Sequence, residues 1–122
     1  MQLVVHVGSA SIADSADLAA HAEQVAKADA IAATAPFYFK PANVGVLVDT
    51  MSEIARAAPN TSFYYYHIPS MTGVTIAVTD FFKAVTLSNE DSNAWKIPTL
   101  QGAKFSFTDL TDFAQAAQFM NK

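Results

Sequence analysis

Lys104 stands among apolar neighbours in the stretch Gln101-Gly102-Ala103-Lys104-Phe105-Ser106-Phe107-Thr108-Asp109, just after Ile97-Pro98-Thr99-Leu100. A short apolar run that gives way to a serine and then to a new helical pattern reads as a strand entering a βα loop. In α/β proteins that is the strand end where chemistry collects. A lysine held beside apolar walls loses hydration, which disfavours its ammonium form. The expectation is a lowered pKa and an amine that attacks a carbonyl. A second anchor lies upstream in Phe63-Tyr64-Tyr65-Tyr66-His67-Ile68-Pro69. With the two strand ends as neighbours, a tyrosine hydroxyl faces the amine. From spacing alone, a solvated surface lysine and a strand packing aromatics on both faces remain open as readings.

The other titratable groups offer less. His6, His21 and His67 have no metal-ligand spacing. His6, on an apolar run, reads as a hydrogen-bonded core histidine, and His21 as a helix-surface residue. Asp14, Asp17 and Glu23 read as a solvated helix face, and Asp109 as an acid favoured by a helix dipole. Gly8-Ser9-Ala10-Ser11 carries too few glycines to cradle a phosphate.

Composition narrows the class. The chain has 122 residues and no cysteine, which excludes a disulfide framework, a thiolate metal site and a thiol nucleophile. Its hydrophobic content of 52% against 15% charged residues is high for a small domain, so more apolar area is expected than one such domain hides. A net charge of −4, with no Lys/Arg cluster, argues against nucleic acid. No apolar run approaches the roughly 20 residues of a membrane span. The first residues lack the basic start of a signal peptide. Together with the missing cysteines, this leads us to expect a cytoplasmic protein.

The elements that position the lysine follow from periodicity. Apolar runs at 2–7, 29–35, 62–66 and 100–104 read as buried strands. Helical patterns occupy 12–27, capped by Ser11; 43–58, capped by Asn43; a short stretch 81–86 after Thr79-Asp80; and 109–120, capped by Thr108. The expected apolar stripes are Ile12, Leu18, Ala22 and Val25; then Val46, Leu47, Thr50, Met51, Ile54 and Ala58; then Leu110, Phe113, Ala117 and Met120. Residues 36–41 form an aromatic loop bounded by prolines, and 87–94 a polar loop. Strands that alternate with helices pair in parallel through right-handed crossovers. Burial on both faces would explain strands that are apolar throughout. An open four-stranded sheet and an arc of a (β/α)8 barrel both fit.

The strings Tyr64-Tyr65-Tyr66-His67-Ile68-Pro69-Ser70-Met71-Thr72-Gly73-Val74 and Gln101-Gly102-Ala103-Lys104-Phe105-Ser106-Phe107-Thr108-Asp109-Leu110, with Val5-His6-Val7-Gly8 and Ala35-Pro36-Phe37-Tyr38, resemble the dihydrodipicolinate synthase family of pyruvate-dependent class I aldolases, in particular its sialic acid branch. The resemblance covers nearly the whole chain. It implies a partial TIM barrel, with 1–122 as a single incomplete domain equivalent to the third to sixth βα units. The Gly-Ser/Thr-Thr loop that grips the substrate carboxylate would lie outside it, and 87–94 would be longer than the usual connection.

The resemblance also implies roles. Lys104 matches the Schiff-base lysine and Tyr66 the proton-relaying hydroxyl. Ser106 matches a small residue lining the sugar site, and Tyr38 a possible subunit contact. The implied ligands are sialic acid, pyruvate and N-acetylmannosamine, with no metal or other cofactor, in a homo-oligomer. A half-barrel that is inactive and acts only by association is the alternative of another class.

Overall fold

The computed structural model describes residues 1–87 and 90–121. Four strands, β1 (Val4–His6), β2 (Ala30–Thr34), β3 (Ser62–His67) and β4 (Leu100–Phe105), form one sheet in the order β1-β2-β3-β4, and every neighbouring pair is parallel. The helices between them are α1 (Ile12–Gln24), α2 (Val44–Arg56), the single turn α3 (Pro69–Thr72), and α4 (Val78–Thr86); α5 (Leu110–Met120) follows β4. A 3-10 turn, Ser92–Ala94, precedes β4.

Strand order decides between the two architectures. A doubly wound sheet reverses its strand order at a switch point, and here the order never reverses. Right-handed crossovers in unbroken sequence place the helices on one face. In agreement, α1 packs on α2, α2 on α4 and α4 on α5. The result is an arc of a barrel, with a helix-clad convex face and a bare concave one.

The expectation of apolar, doubly buried strands holds for β2, where Ala30, Ile31, Ala32 and Ala33 are all buried, and is corrected for β1 and β3. Along β3, Phe63, Tyr65 and His67 are buried against the helices, whereas Ser62, Tyr64 and Tyr66 stand half-open on the concave side. The core is the layer between sheet and helices. Ile31, Leu47, Val48, Met51, Ile54, Phe63, Tyr65, Phe81, Val85 and Ile97 are all essentially inaccessible there. Each such side chain contributes about 1.5–3 kcal/mol of transfer free energy. Burial also pushes the Tyr65 phenol above its ordinary pKa of 10.0, which fits a packing role.

Local signals explain most boundaries. Ser11 Oγ accepts from Asp14 N at 3.2 Å and Asn43 Oδ1 from Val46 N at 3.0 Å, so both expected caps start their helices. The last helix starts one residue later than expected. Asp109, not Thr108, is its cap, accepting from Asp112 N at 3.0 Å. The first helix stops at Gln24, and Lys27 turns the chain with φ 55. The turn Pro69–Thr72 was not anticipated; proline at its first position and Gly73 at φ 70 after it are the signals that bound it. Of the polar loop 87–94, residues 88 and 89 lie outside the described residues.

Side chains tie the layers together at both ends of the sheet. Glu23, expected to be a solvated acid, accepts from Asn60 N at 2.7 Å and Thr61 Oγ1 at 2.9 Å, which fixes α1 to the start of β3. Asp29 Oδ2 accepts from Leu3 N at 2.7 Å, anchoring β1 on β2. Asp112 is 5% exposed and seats its carboxylate on the first turn of α4. It accepts from Val78 N at 2.8 Å, Thr79 N at 3.0 Å and Thr79 Oγ1 at 2.7 Å. Desolvation alone would raise its pKa, but the bonds from Thr79 and Val78 and the nearby His67 outweigh it and hold the carboxyl below its ordinary value.

Candidate active site

The concave face gathers four side chains at the C-terminal ends of four successive strands. His6 ends β1 and Thr34 ends β2; Tyr66 and Lys104 are the penultimate residues of β3 and β4. Thr34 pairs with Tyr66, and Tyr66 with Lys104, so the three lie in one row across the sheet. Lys104 Nζ sits over the Tyr66 ring, 4.5 Å from its centroid. The His6 ring meets the same tyrosine edge-on at a centroid distance of 6.1 Å. The expectation placed a tyrosine hydroxyl at the amine; the tyrosine is there, but Lys104 Nζ meets its ring face.

Lys104 reaches this face because of an irregularity in β4. Phe63 pairs with Leu100, but Tyr64 pairs with Gly102, so Gln101 is an extra residue in that strand. Were Gln101 paired like any other strand residue, the two-residue alternation that buries Leu100 against the helices would bring Gly102 and Lys104 to that same side. With Gln101 as the extra residue, Gly102 lies beside the Tyr64 ring and Lys104 projects into the concavity.

His6 is the residue that sequence reasoning misplaced. It is not a core histidine; it is exposed on the concave side, and its pKa is lowered by partial burial and then by the Lys104 charge. The period of two along β1 carries the signal, since Val5 packs on the core while Val4 and His6 face the other way. Gly8 completes the arrangement. A Cβ there would stand 2.8 Å from His6 Cε1 and 3.0 Å from Thr34 Oγ1, so the missing side chain lets the imidazole and the hydroxyl approach.

The concavity below this row has a volume of about 590 Å³ and is bordered by Val4, His6, Ala32, Tyr64, Tyr66 and Lys104. A smaller one of about 370 Å³ continues above it between His6, Thr34, Phe37, Tyr66, Ile68 and Met71. Lys104 is exposed, so the apolar walls expected around it are present on the sheet side only. Ser106 follows β4 at the rim and donates its backbone N–H to the His67 carbonyl at 2.8 Å. Tyr38 lies apart from the row, 75% exposed in the loop after β2, with its ring edge-to-face on Phe39 at 4.8 Å.

Behind the row, on the helix side, His67 is 1% exposed and its Nδ1 has no hydrogen-bond partner among the described residues. Burial lowers its pKa, and the opposing pull of Asp112 and Asp109 does not overcome it. A neutral imidazole thus packs between Phe105, at 5.1 Å, and Phe107, at 5.7 Å. Among the described residues no group of three or more His, Asp or Glu is placed to hold a metal ion.

Comparison with known proteins agrees with this geometry. N-acetylneuraminate lyase of Mus musculus is 46% identical over 114 residues, which make up 93% of this chain and 33% of the mouse protein. The Sus scrofa lyase is 47% identical over the same length, again 93% of this chain and 33% of the relative. Proteus mirabilis N-acetylneuraminate lyase superposes with a TM-score of 0.85 at 35% identity, over 97% of this chain and 37% of its own. The chain spans about a third of the length of the curated relatives it matches, as expected of a partial barrel. The model of the Dihydrodipicolinate synthetase family matches residues 1–116, and the chain belongs to that family.

Proposed function

We propose that this chain carries the imine-forming part of a sialic acid lyase, with Lys104 as the Schiff-base residue and Tyr66 as the proton relay. The observation that carries the reading is the stacking of Lys104 Nζ over the Tyr66 ring on paired strand ends, in a chain 46% identical to mouse N-acetylneuraminate lyase.

The reaction follows from that pair. The Lys104 amine adds to the C2 carbonyl of open-chain N-acetylneuraminate, and loss of water leaves a protonated imine. The C4 hydroxyl gives up its proton toward Tyr66 as the C3–C4 bond breaks. C4 becomes the aldehyde of N-acetylmannosamine, and the bonding electrons pass through C3 and C2 to the iminium nitrogen. Reprotonation of the enamine at C3 and hydrolysis of the imine release pyruvate and restore Lys104. A phenol with a free pKa near 10 is a poor base at neutral pH, so a bound carboxylate or the neighbouring His6 and Thr34 must assist it. Ser106 lines the sugar end and Tyr38 meets another subunit in this reading, and the protein works in the cytoplasm. Another pyruvate-dependent lyase or synthase of the family would share the first step and differ in its second substrate.

The site works in a completed barrel. Among the described residues, β1 pairs only with β2 and β4 only with β3. A second copy related by a two-fold axis, or a longer homologue, supplies the remaining strands and walls Lys104 on its open side.

The test is borohydride trapping with pyruvate, followed by peptide mass spectrometry. An adduct on Lys104 alone is expected. No adduct, or adducts spread over Lys27, Lys40 and Lys83, would leave the ancestry and remove the activity. A Lys104→Arg chain is expected to form none, because a guanidinium stays protonated.

A further inference from the structure

A second concavity, of about 410 Å³, opens on the helix side of the molecule, between the C-terminal end of α2 and the segment that leads into β4. Trp95, Lys96, Arg56, Pro59, Pro98 and Thr99 border it. Thr99 and Lys104 are five residues apart, roughly 16 Å along the strand, so this cavity lies near the opposite end of β4 from the candidate active site. No part of the proposed lyase chemistry uses it.

Its chemistry is distinct from that of the chain as a whole. The protein carries a net charge of −4, yet among the described residues this cavity is lined by two cations and by no carboxylate. Arg56 is held in place. Its Nη2 donates to Ser52 Oγ at 3.1 Å, and that hydroxyl donates to the Lys96 carbonyl at 2.9 Å. Lys96 N in turn donates to the Val85 carbonyl at 3.0 Å, which fixes the segment against α4. The guanidinium is thus strapped to the backbone that presents Trp95 and Lys96. Such preorganisation lowers the ordering cost of binding. The half-exposed indole of Trp95 and the rings of Pro59 and Pro98 add flat apolar walls. At the wall, Thr99 Oγ1 is buried without a partner.

We propose that this cavity binds a small aromatic oxyanion, with the negative group between Arg56 and Lys96 and the ring against Trp95 and the prolines. Planar, bidentate donors suit a phosphate or carboxylate, and the apolar walls select a flat substituent over a free inorganic ion.

Trp95 is the sole tryptophan of the chain, so its emission reports on the cavity directly. The probes are phenyl phosphate, inorganic phosphate and phenol, titrated into the full chain. A saturable change in Trp95 emission is expected with phenyl phosphate, at a concentration at least about fivefold lower than with either half-ligand. Lys96→Gln is expected to weaken it about threefold to tenfold, since one charge-assisted contact is lost. The Lys96 backbone bonds are untouched by that change. Arg56→Gln with Lys96→Gln is expected to abolish saturation. The proposal falls if phenyl phosphate gives no saturable change, if the double variant responds with an unchanged midpoint, or if inorganic phosphate binds as tightly as phenyl phosphate. Should the double variant lose its far-UV signal, amide shifts in the unmodified chain decide. Shifts confined to 52–59 and 95–99 support the site, and shifts centred on Lys104 overturn it.

Discussion

At the scale of single residues, two histidines two strands apart do different work because they point to opposite faces. His6 stands beside Tyr66 on the concave side, while His67 is held neutral behind it. The lowered pKa of His67 has a sign that can be followed into stability. The unfolded chain binds that proton near pH 6.5 and the folded chain only at lower pH. His67 therefore favours the folded state above about pH 6.5, and this contribution is lost as the pH falls through the lower folded value. Asp112 has the same sign lower down, with stability present above its ordinary value of 3.8 and lost as the pH falls through the depressed one. Thermal midpoints are expected to drop between pH 7 and 5 and again below pH 4. A midpoint that rises on acidification to pH 5 would contradict a neutral His67. For catalysis, Tyr66→Phe keeps a ring under Lys104 but removes the hydroxyl. It is expected to leave pyruvate trapping intact and to slow carbon–carbon cleavage by about 10²–10⁴. Loss of trapping in that variant would make Tyr66 a packing residue.

Among the elements, the last helix shows best how much the sequence disclosed. Its location was readable from periodicity and an acidic start. Its orientation was not: the stripe Leu110, Phe113 and Ala117 is exposed, and the face turned inward carries Asp112 and Ala116. A buried acid is rare enough that hydrophobic patterning assigns it to solvent. Only the partners on α4, more than thirty positions away, reverse that assignment. In α1 the outcome is mixed: Ala22 is buried and Ile12 packs on the core as expected, but Leu18 is exposed and Ser15 and Ala19 take the inward face. By contrast, the caps Ser11 and Asn43 were legible because capping is local, as was the Lys104 neighbourhood because its string is contiguous. His6 was not, since its place depends on which face β1 turns to the core. The Asp112 contacts carry a stability prediction. Asp112→Ala leaves the Val78 and Thr79 donors without their acceptor and is expected to cost about 2–4 kcal/mol in chemical denaturation, with Asp112→Asn losing less. An Ala variant as stable as the parent would mean that water replaces the carboxylate freely.

For the whole molecule, the decisive property is a sheet clad on one side. The accessible surface is 6914 Å²; a compact monomer of 13.1 kDa has roughly 6400 Å². The excess is modest, which suits a folded layer with one bare face. Val4, Leu110, Phe113 and the aromatic loop Phe37, Tyr38 and Phe39 are all exposed. The expected outcome is self-association through the open edges, read by sedimentation at micromolar concentration, and a monodisperse monomer that still forms the Lys104 adduct would overturn it. One consequence of the extra residue in β4 reaches beyond that strand. The direction of the Lys104 amine is set by its pairing with Tyr66 and not by the number of positions that separate it from Leu100. Without Gln101, Leu100 and Gly102 would be neighbours in an unbroken alternation, and Lys104 would still face the concavity beside Tyr66. The bulge thus absorbs an added residue, and the strand can lengthen or shorten by one position there without turning the lysine.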